Sequence, residues 1–166
     1  MTHSDREPKL HVVLVEPEIH WNTGNAGRTC LALGAQLHLI EPLGFELDDS
    51  AVRRAGLDYW PRVRPRVWPD WRAFEHDLPT LGTPFAVTPD ADRELFSMRF
   101  PERVVLLFGR ESSGLPPSLR RRFAQTSLRL PMSDPALRSL NLSTSVAVAG
   151  YEVLRQQRLR TRPPLD

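Results

Sequence analysis

The stretch Arg103-Val-Val-Leu-Leu-Phe-Gly-Arg-Glu-Ser-Ser-Gly114 decides the fold. Its first half is an apolar run without alternation. Strands wetted on one side alternate apolar and polar residues, so a continuous run belongs to a parallel sheet covered on both faces. Its second half places glycines, small polar residues and charge where that strand ends. Working outward, 10–15 reads as a second buried strand ending at Glu16-Pro17, and 36–40 as a third ending at Glu41-Pro42. Residues 84–88 and 127–130 read as two more. Between them lie helical stretches. Residues 22–33 are capped by Asn22 or Thr23 and stopped by Gly34, and 48–56 form a short basic helix with Arg53 and Arg54. Further helices cover 70–78 and 116–123. Ser143 caps a long final one through Val146, Ala149, Val153 and Leu154. The segment 59–71, dense in Pro, Arg and Trp, reads as a surface wrap. Residues 1–9 read as a flexible extension and 159–166 as a flexible basic tail, leaving 10–158 as one domain. Strands alternating with helices make an α/β domain with a mainly parallel sheet flanked by helices. Ligands of such sheets bind at the carboxyl ends of strands, here the loops after Val15, Thr88, Phe108 and Leu130.

At 166 residues the chain suits one domain with a real core. The formal charge is only +2, yet the pI of about 9.2 is basic and Lys9 is the sole lysine. Arginine forks onto phosphates and stacks on bases, which leans towards nucleic acid. The same bias follows from a GC-rich genome, and composition leaves both readings open. Cys30 is the only cysteine, so no intrachain disulfide forms and a reducing, cytoplasmic compartment fits. No histidine is placed to activate it, so it reads as packing. Apolar runs fall well short of the ~20 residues a membrane span needs, and no signal peptide is evident.

Several chemistries drop out. The five histidines, His3, His11, His20, His38 and His76, lack metal-ligand spacing, so no metal is expected. His11 and His38 sit in strands and read as structural. There is no Gly-x-Gly-x-x-Gly, no Gly-x-x-x-x-Gly-Lys and no Gly-x-Ser-x-Gly. Gly24-Asn-Ala-Gly27 matches the clamp of a KH module, but it enters a helix where that clamp should join two helices.

Three motifs remain: Asn22-Thr-Gly-Asn-Ala-Gly-Arg28, Phe108-Gly-Arg-Glu-Ser-Ser-Gly114, and Leu130-Pro-Met132 with Arg138-Ser-Leu-Asn-Leu-Ser143. They offer backbone groups and amides more than acids and bases. In order and spacing they resemble the SPOUT class of RNA methyltransferases, from about Leu10 to Gln157. Val-Glu-Pro-Glu-Ile-His-Trp-Asn-Thr-Gly-Asn, Ile-Glu-Pro-Leu-Gly-Phe, Arg-Arg-Ala-Gly-Leu-Asp-Tyr and the ending Tyr-Glu-Val-Leu-Arg-Gln are similar to its YibK-like branch, the tRNA (cytidine/uridine-34-2′-O)-methyltransferases. The resemblance implies a C-terminal trefoil knot, a feature too rare for any periodicity to suggest. It implies an S-adenosylmethionine site at Val87, Gly109, Leu130 and Ser139, and catalytic or substrate-side roles for Arg28, Asn22, Glu111 and Asn141, with Ser139 beside them. A methyl group would pass to a tRNA ribose 2′-hydroxyl, that of the wobble cytidine or uridine at position 34. A guanidinium is a poor base, its pKa exceeding about 12, so Arg28 reads as a clamp on a phosphate or developing alkoxide, with Glu111 orienting it. Arg53, Arg54, Arg120, Arg121 and Arg122 are candidate phosphate contacts. The class is homodimeric through its C-terminal helix, where Gly150 would permit close approach. The alternatives are a 2′-O-methyltransferase for another tRNA or rRNA position, and a non-catalytic RNA-binding module on the same fold.

Overall fold

In a computed structural model the structure describes residues 7–47 and 58–161. Six strands form one sheet: β1 (Leu10–Val15), β2 (Gln36–Ile40), β3 (Arg66–Trp68), β4 (Thr83–Val87), β5 (Val104–Phe108) and β6 (Ser127–Leu128). Their order is β3-β2-β1-β5-β4-β6 and every pairing is parallel. The run that opened the sequence reading is β5, buried at every residue and hydrogen-bonded to β1 on one side and β4 on the other. The chain winds outward from β1 to β3, then crosses to the other half of the sheet. The order therefore reverses between β1 and β5, and a crevice opens at their carboxyl ends.

Alternation along each strand sends side chains to two cores. Val12 and Leu14 join Leu106, Phe108 and the helices α1 (His20–Leu33), α2 (Trp60–Val63) and α5 (Leu142–Thr161). Val13 and Val15 join Val105, Leu107 and the helices α3 (Trp71–Leu81) and α4 (Pro117–Arg122). Burial of this many aliphatic side chains, at about 1.5–3 kcal/mol each, supplies the main drive to fold.

Helix ends account for most differences from the sequence reading. α1 begins two residues before Asn22, with Ile19 at its N-cap, while Gly34 stops it in the left-handed region as expected (φ 66°). Asn141, rather than Ser143, caps α5: its Oδ1 accepts from the backbone N–H of Ser143 at 2.9 Å and of Thr144 at 3.3 Å. α5 runs on to Thr161, past the point where the tail was expected to start. The segment 59–71 is more ordered than its composition suggests, because it holds α2 and the edge strand β3. The basic helix expected over 48–56 lies outside the described residues. Gly150 does not wait for a second subunit. A Cβ there would stand 2.5 Å from Leu33 Cδ1, so the glycine serves the packing of α5 on α1. Burial pushes the Cys30 thiol up to about 12, which leaves it inert packing as expected.

A buried polar chain ties three strands together. Trp68 Nε1 donates to His38 Nδ1 at 3.1 Å, His38 Nε2 faces His11 Nδ1 at 3.0 Å, and His11 Nε2 faces the Pro8 carbonyl at 3.1 Å. The indole can only donate and the carbonyl can only accept, so both imidazoles are neutral with hydrogen on Nε2. Burial lowers His11 to about 4 and His38 to about 3. The unfolded chain therefore binds more protons than the native one below about pH 6.5, and stability rises with pH across that window. It is fully present above pH 6.5 and is lost as pH falls through 6.5 towards 4. Urea midpoints at pH 7 and pH 4.5 should differ markedly, and the double variant His11→Phe/His38→Leu should flatten that difference.

Candidate active site

A cleft of about 470 Å³ lies in the crevice between the two halves of the sheet. Val87 and Thr88 enter it from the end of β4, Gly109 to Glu111 and Ser113 to Leu115 from the loop after β5, Ile19 and Asn22 from the start of α1, and Ser139 to Leu142 from the approach to α5. A smaller cavity of about 40 Å³ shares Val87 and Ser139 and adds Leu130 and Met132 as an apolar end. All four residues expected to hold the cofactor, Val87, Gly109, Leu130 and Ser139, line one or both spaces. Asn22, Glu111 and Asn141 line the larger one.

The loop after β5 is a closed turn. Arg110 N–H donates to the Gly114 carbonyl at 3.0 Å, and Gly114 N–H returns a bond of 2.9 Å to the Arg110 carbonyl. Gly114 takes a positive φ of 72°, which glycine adopts without strain. Gly109 is required for a different reason, since a Cβ there would meet Gly114 C and Leu115 N at 2.0 Å.

Three of the expected catalytic residues form one hydrogen-bonded relay. Asn141 Nδ2 donates to Asn22 Oδ1 at 2.9 Å, and Asn22 Nδ2 donates to Glu111 Oε1 at 3.2 Å. Glu111 also accepts the backbone N–H of Glu18 at 2.8 Å and of Ile19 at 3.2 Å. It therefore ties down the two residues that lead into α1, Glu18 and the N-cap Ile19, at the helix end where the dipole favours a carboxylate. A carboxylate only accepts, which fixes the orientation of the buried Asn22 amide, and Asn22 in turn fixes Asn141. Glu111 holds Asn22 and α1 rather than orienting Arg28. Removing it as Glu111→Ala would leave three N–H donors without their acceptor. Unmet donors cost about 1–3 kcal/mol each when buried, so the urea midpoint should fall.

A second set of contacts pins the same loops. Glu18 accepts from Ser112 N–H at 2.9 Å and Ser112 Oγ at 2.8 Å, and these bonds hold its carboxyl below the usual range. Arg138 donates to the Ser112 carbonyl at 2.5 Å, joining the loop after β5 to the approach to α5. Arg110 pairs with Glu16, whose backbone takes a positive φ of 54° directly after β1. Sequence reasoning gave Glu16, Glu18 and Arg138 no role, although Arg138 stands in the third motif. The available signal was position, since Glu16 and Glu18 follow the central strand at its carboxyl end.

Arg28 stands apart. It is exposed on α1, outside the cleft lining, with its guanidinium 5.4 Å from the Tyr59 ring centroid. Tyr59 is itself anchored by its hydroxyl, which donates to the Gly24 carbonyl at 2.9 Å. Arg120 lines the cleft but pairs with Asp90, and Arg122 pairs with Glu75. Arg121 has no carboxylate partner among the described residues. Arg53 and Arg54 lie outside them.

The cleft thus combines a glycine cradle with the fixed amides of Asn22 and Asn141, beside a smaller apolar cavity, at the switch point of a parallel sheet. Its carboxylates, Glu111 and Asp90, are both engaged. That equipment suits transfer of a group from an activated donor. The sequence profile of the SpoU rRNA Methylase family matches residues 9–151, and the chain belongs to that family. It is 47% identical over 156 residues to a tRNA (cytidine(34)-2′-O)-methyltransferase of Acidovorax sp. (strain JS42), covering 93% of this chain and 96% of that one. A solved structure described as giving structural insights into the 2-OH methylation of C/U34 on tRNA superposes with a TM-score of 0.83 at 48% identity, over 92% of this chain and 97% of the other. The SpoU methyltransferase AviRb from Streptomyces viridochromogenes, solved in complex with the cofactor AdoMet, superposes with a TM-score of 0.73 at 25% identity. That match covers 92% of this chain and 59% of AviRb.

Proposed function

We propose that this chain is an S-adenosylmethionine-dependent tRNA methyltransferase acting on the 2′-hydroxyl of nucleotide 34. The observation that carries the reading is the convergence of Gly109, Val87, Leu130 and Ser139 with the Glu111–Asn22–Asn141 relay in one crevice. The names of the relatives support the substrate, and the AdoMet complex of AviRb supports the donor. The cleft volume falls in the range of about 300–1,000 Å³ typical of cofactor sites. The backbone at Gly109 allows close approach, and Leu130 with Met132 offers an apolar slot for a flat base. When bound, S-adenosylmethionine supplies a methyl group on a sulfonium, a strong electrophile. The protein then has to align the hydroxyl and receive its proton. Asn22 and Asn141, locked by Glu111 and the N-terminus of α5, present fixed amides for that alignment. Arg28 clamps a phosphate and steadies the developing alkoxide, and the proton leaves to a phosphate oxygen or water.

The reading includes the trefoil knot of the class, a cytoplasmic location beside the tRNA pool, and a homodimer. α1 and α5 pack together and expose Trp21 and Tyr151 at 59% and 51%, which suits burial by a second copy. The test is mapping of 2′-O-methylation in RNA from cells with and without the protein. Loss confined to position 34 of particular tRNAs supports the reading, and an unchanged position 34 in every tRNA refutes it. Calorimetry with S-adenosylmethionine tests the donor, and failure to bind would remove the enzyme reading.

A further inference from the structure

The segment from α2 to β3 carries arginines that the cleft does not use. Arg62, Arg64 and Arg66 are all exposed. No carboxylate partner is found for any of them among the described residues, whereas Arg103, Arg110, Arg120, Arg122, Arg129 and Arg155 are each ion-paired. Their backbone is nevertheless fixed. Arg62 closes the last turn of α2, with its N–H donating to the Tyr59 carbonyl at 2.9 Å. Arg64 takes the left-handed conformation (φ 45°), and its carbonyl accepts Gln36 Nε2 at 3.1 Å. Arg66 opens β3 and pairs in register with His38 of β2. Pro61 and Pro65 stiffen the intervening turns. At the upper end the row meets Tyr59, on which Arg28 is stacked. The three exposed arginines thus follow one another along a surface strip of already ordered backbone, from the last turn of α2 to the edge strand β3.

We propose that this strip is a second tRNA-docking surface, gripping phosphates of the stem next to the methylated loop while the nucleotide enters the cleft. The proposal rests on the tRNA methyltransferase reading. Arginine suits the task because its planar fork bonds a phosphate through two N–H groups. Arg64 lies in the turn after α2 and Arg66 opens β3, so the two stand on different elements and each can serve a different phosphate. Such contacts add affinity and register without reading sequence. The competing role for these residues is protection of an exposed strand edge, which charge and proline also provide.

The test compares wild type with the triple variant Arg62→Gln/Arg64→Gln/Arg66→Gln and with the corresponding triple lysine variant, using unmodified substrate tRNA. The glutamine variant should bind tRNA at least tenfold more weakly. The slope of log affinity against log salt should become shallower by roughly two. S-adenosylmethionine affinity, and kcat at saturating tRNA, should stay unchanged, with the whole loss in KM. The lysine variant should recover most of the salt slope. Wild-type tRNA affinity and slope in the glutamine variant would overturn the proposal. So would a variant that keeps tRNA affinity but self-associates, which would assign the arginines to edge protection. If the triple variant does not fold, Arg64→Glu alone is the probe, with the same affinity readout deciding. A wild-type protein that neither binds nor methylates tRNA would instead defeat the underlying reading. A wild type that methylates, matched by the variant in tRNA affinity, would defeat the docking surface only.

Discussion

Gly109→Ala is expected to lower S-adenosylmethionine affinity at least a hundredfold while leaving the sheet folded. The new Cβ would lie 2.0 Å from Gly114 C and Leu115 N, where real Cβ atoms essentially never come within 3.0 Å. Both neighbours are backbone, so no side-chain rotation relieves the clash. The loop must move by more than 1 Å, and the paired 2.9 and 3.0 Å bonds between Arg110 and Gly114 do not survive that displacement. Ser112 and Glu111 ride on the same loop, so their bonds to Glu18, Ile19 and Asn22 are disturbed with it. A hundredfold loss corresponds to about 2.7 kcal/mol, modest beside the clash. β5 itself ends at Phe108 and is held by β1 and β4, so the core stays intact. Calorimetry measures the affinity and circular dichroism checks the fold. Wild-type affinity would show that the cofactor does not use this cradle. Gly114→Ala is the informative comparison. Its Cβ meets nothing within 4 Å, so any defect there comes from the φ of 72° alone and should be smaller.

The same contrast explains what could be read from the chain. β1, β2 and β5 were legible because a strand buried on both faces needs nothing but apolar residues, and Val104 to Phe108 has nothing else. The position of the candidate site was legible by motif, since the loops at the carboxyl ends of the sheet hold the glycines and line the cleft. β3 was hidden because Arg66-Val67-Trp68 is three residues long, exposed at its edge and set among prolines. Its strand character comes from β2 beside it rather than from its own pattern. Helix caps were misassigned for a related reason. Asn22 looks like a cap, but α1 starts at His20 and the residues leading into it, Glu18 and Ile19, are held by Glu111, 93 and 92 residues later in sequence. Such long-range contacts leave no local trace. Arg28 was the least legible position. Its motif places it beside Asn22, yet about one and two-thirds turns of helix carry it out of the cleft.

That displacement leads to the second large effect. Arg28→Ala is expected to lower kcat by roughly a hundred- to a thousandfold, the range seen when one preorganised charge-stabilising donor is lost. S-adenosylmethionine affinity should be unchanged, because Arg28 does not line the cleft of its own chain. Tm should also barely change, since an exposed side chain stacked on Tyr59 contributes little to stability. In the homodimer proposed above, an arginine outside its own cleft would serve the reaction by facing the cleft of the other copy from the surface formed by α1 and α5. Mixing decides between the two arrangements. A heterodimer of an Arg28→Ala subunit with a Gly109→Ala subunit would hold one complete site if Arg28 works across the interface, because the intact cradle and the intact arginine then meet. If Arg28 served only its own chain, both sites would be broken. Co-expression with two affinity tags isolates the heterodimer. Activity near half that of wild type, against near-zero activity for either parent homodimer, establishes the composite site. Inactive heterodimer that still binds one S-adenosylmethionine confines Arg28 to its own subunit. Full activity of the Arg28→Ala homodimer would remove the residue from the catalytic set.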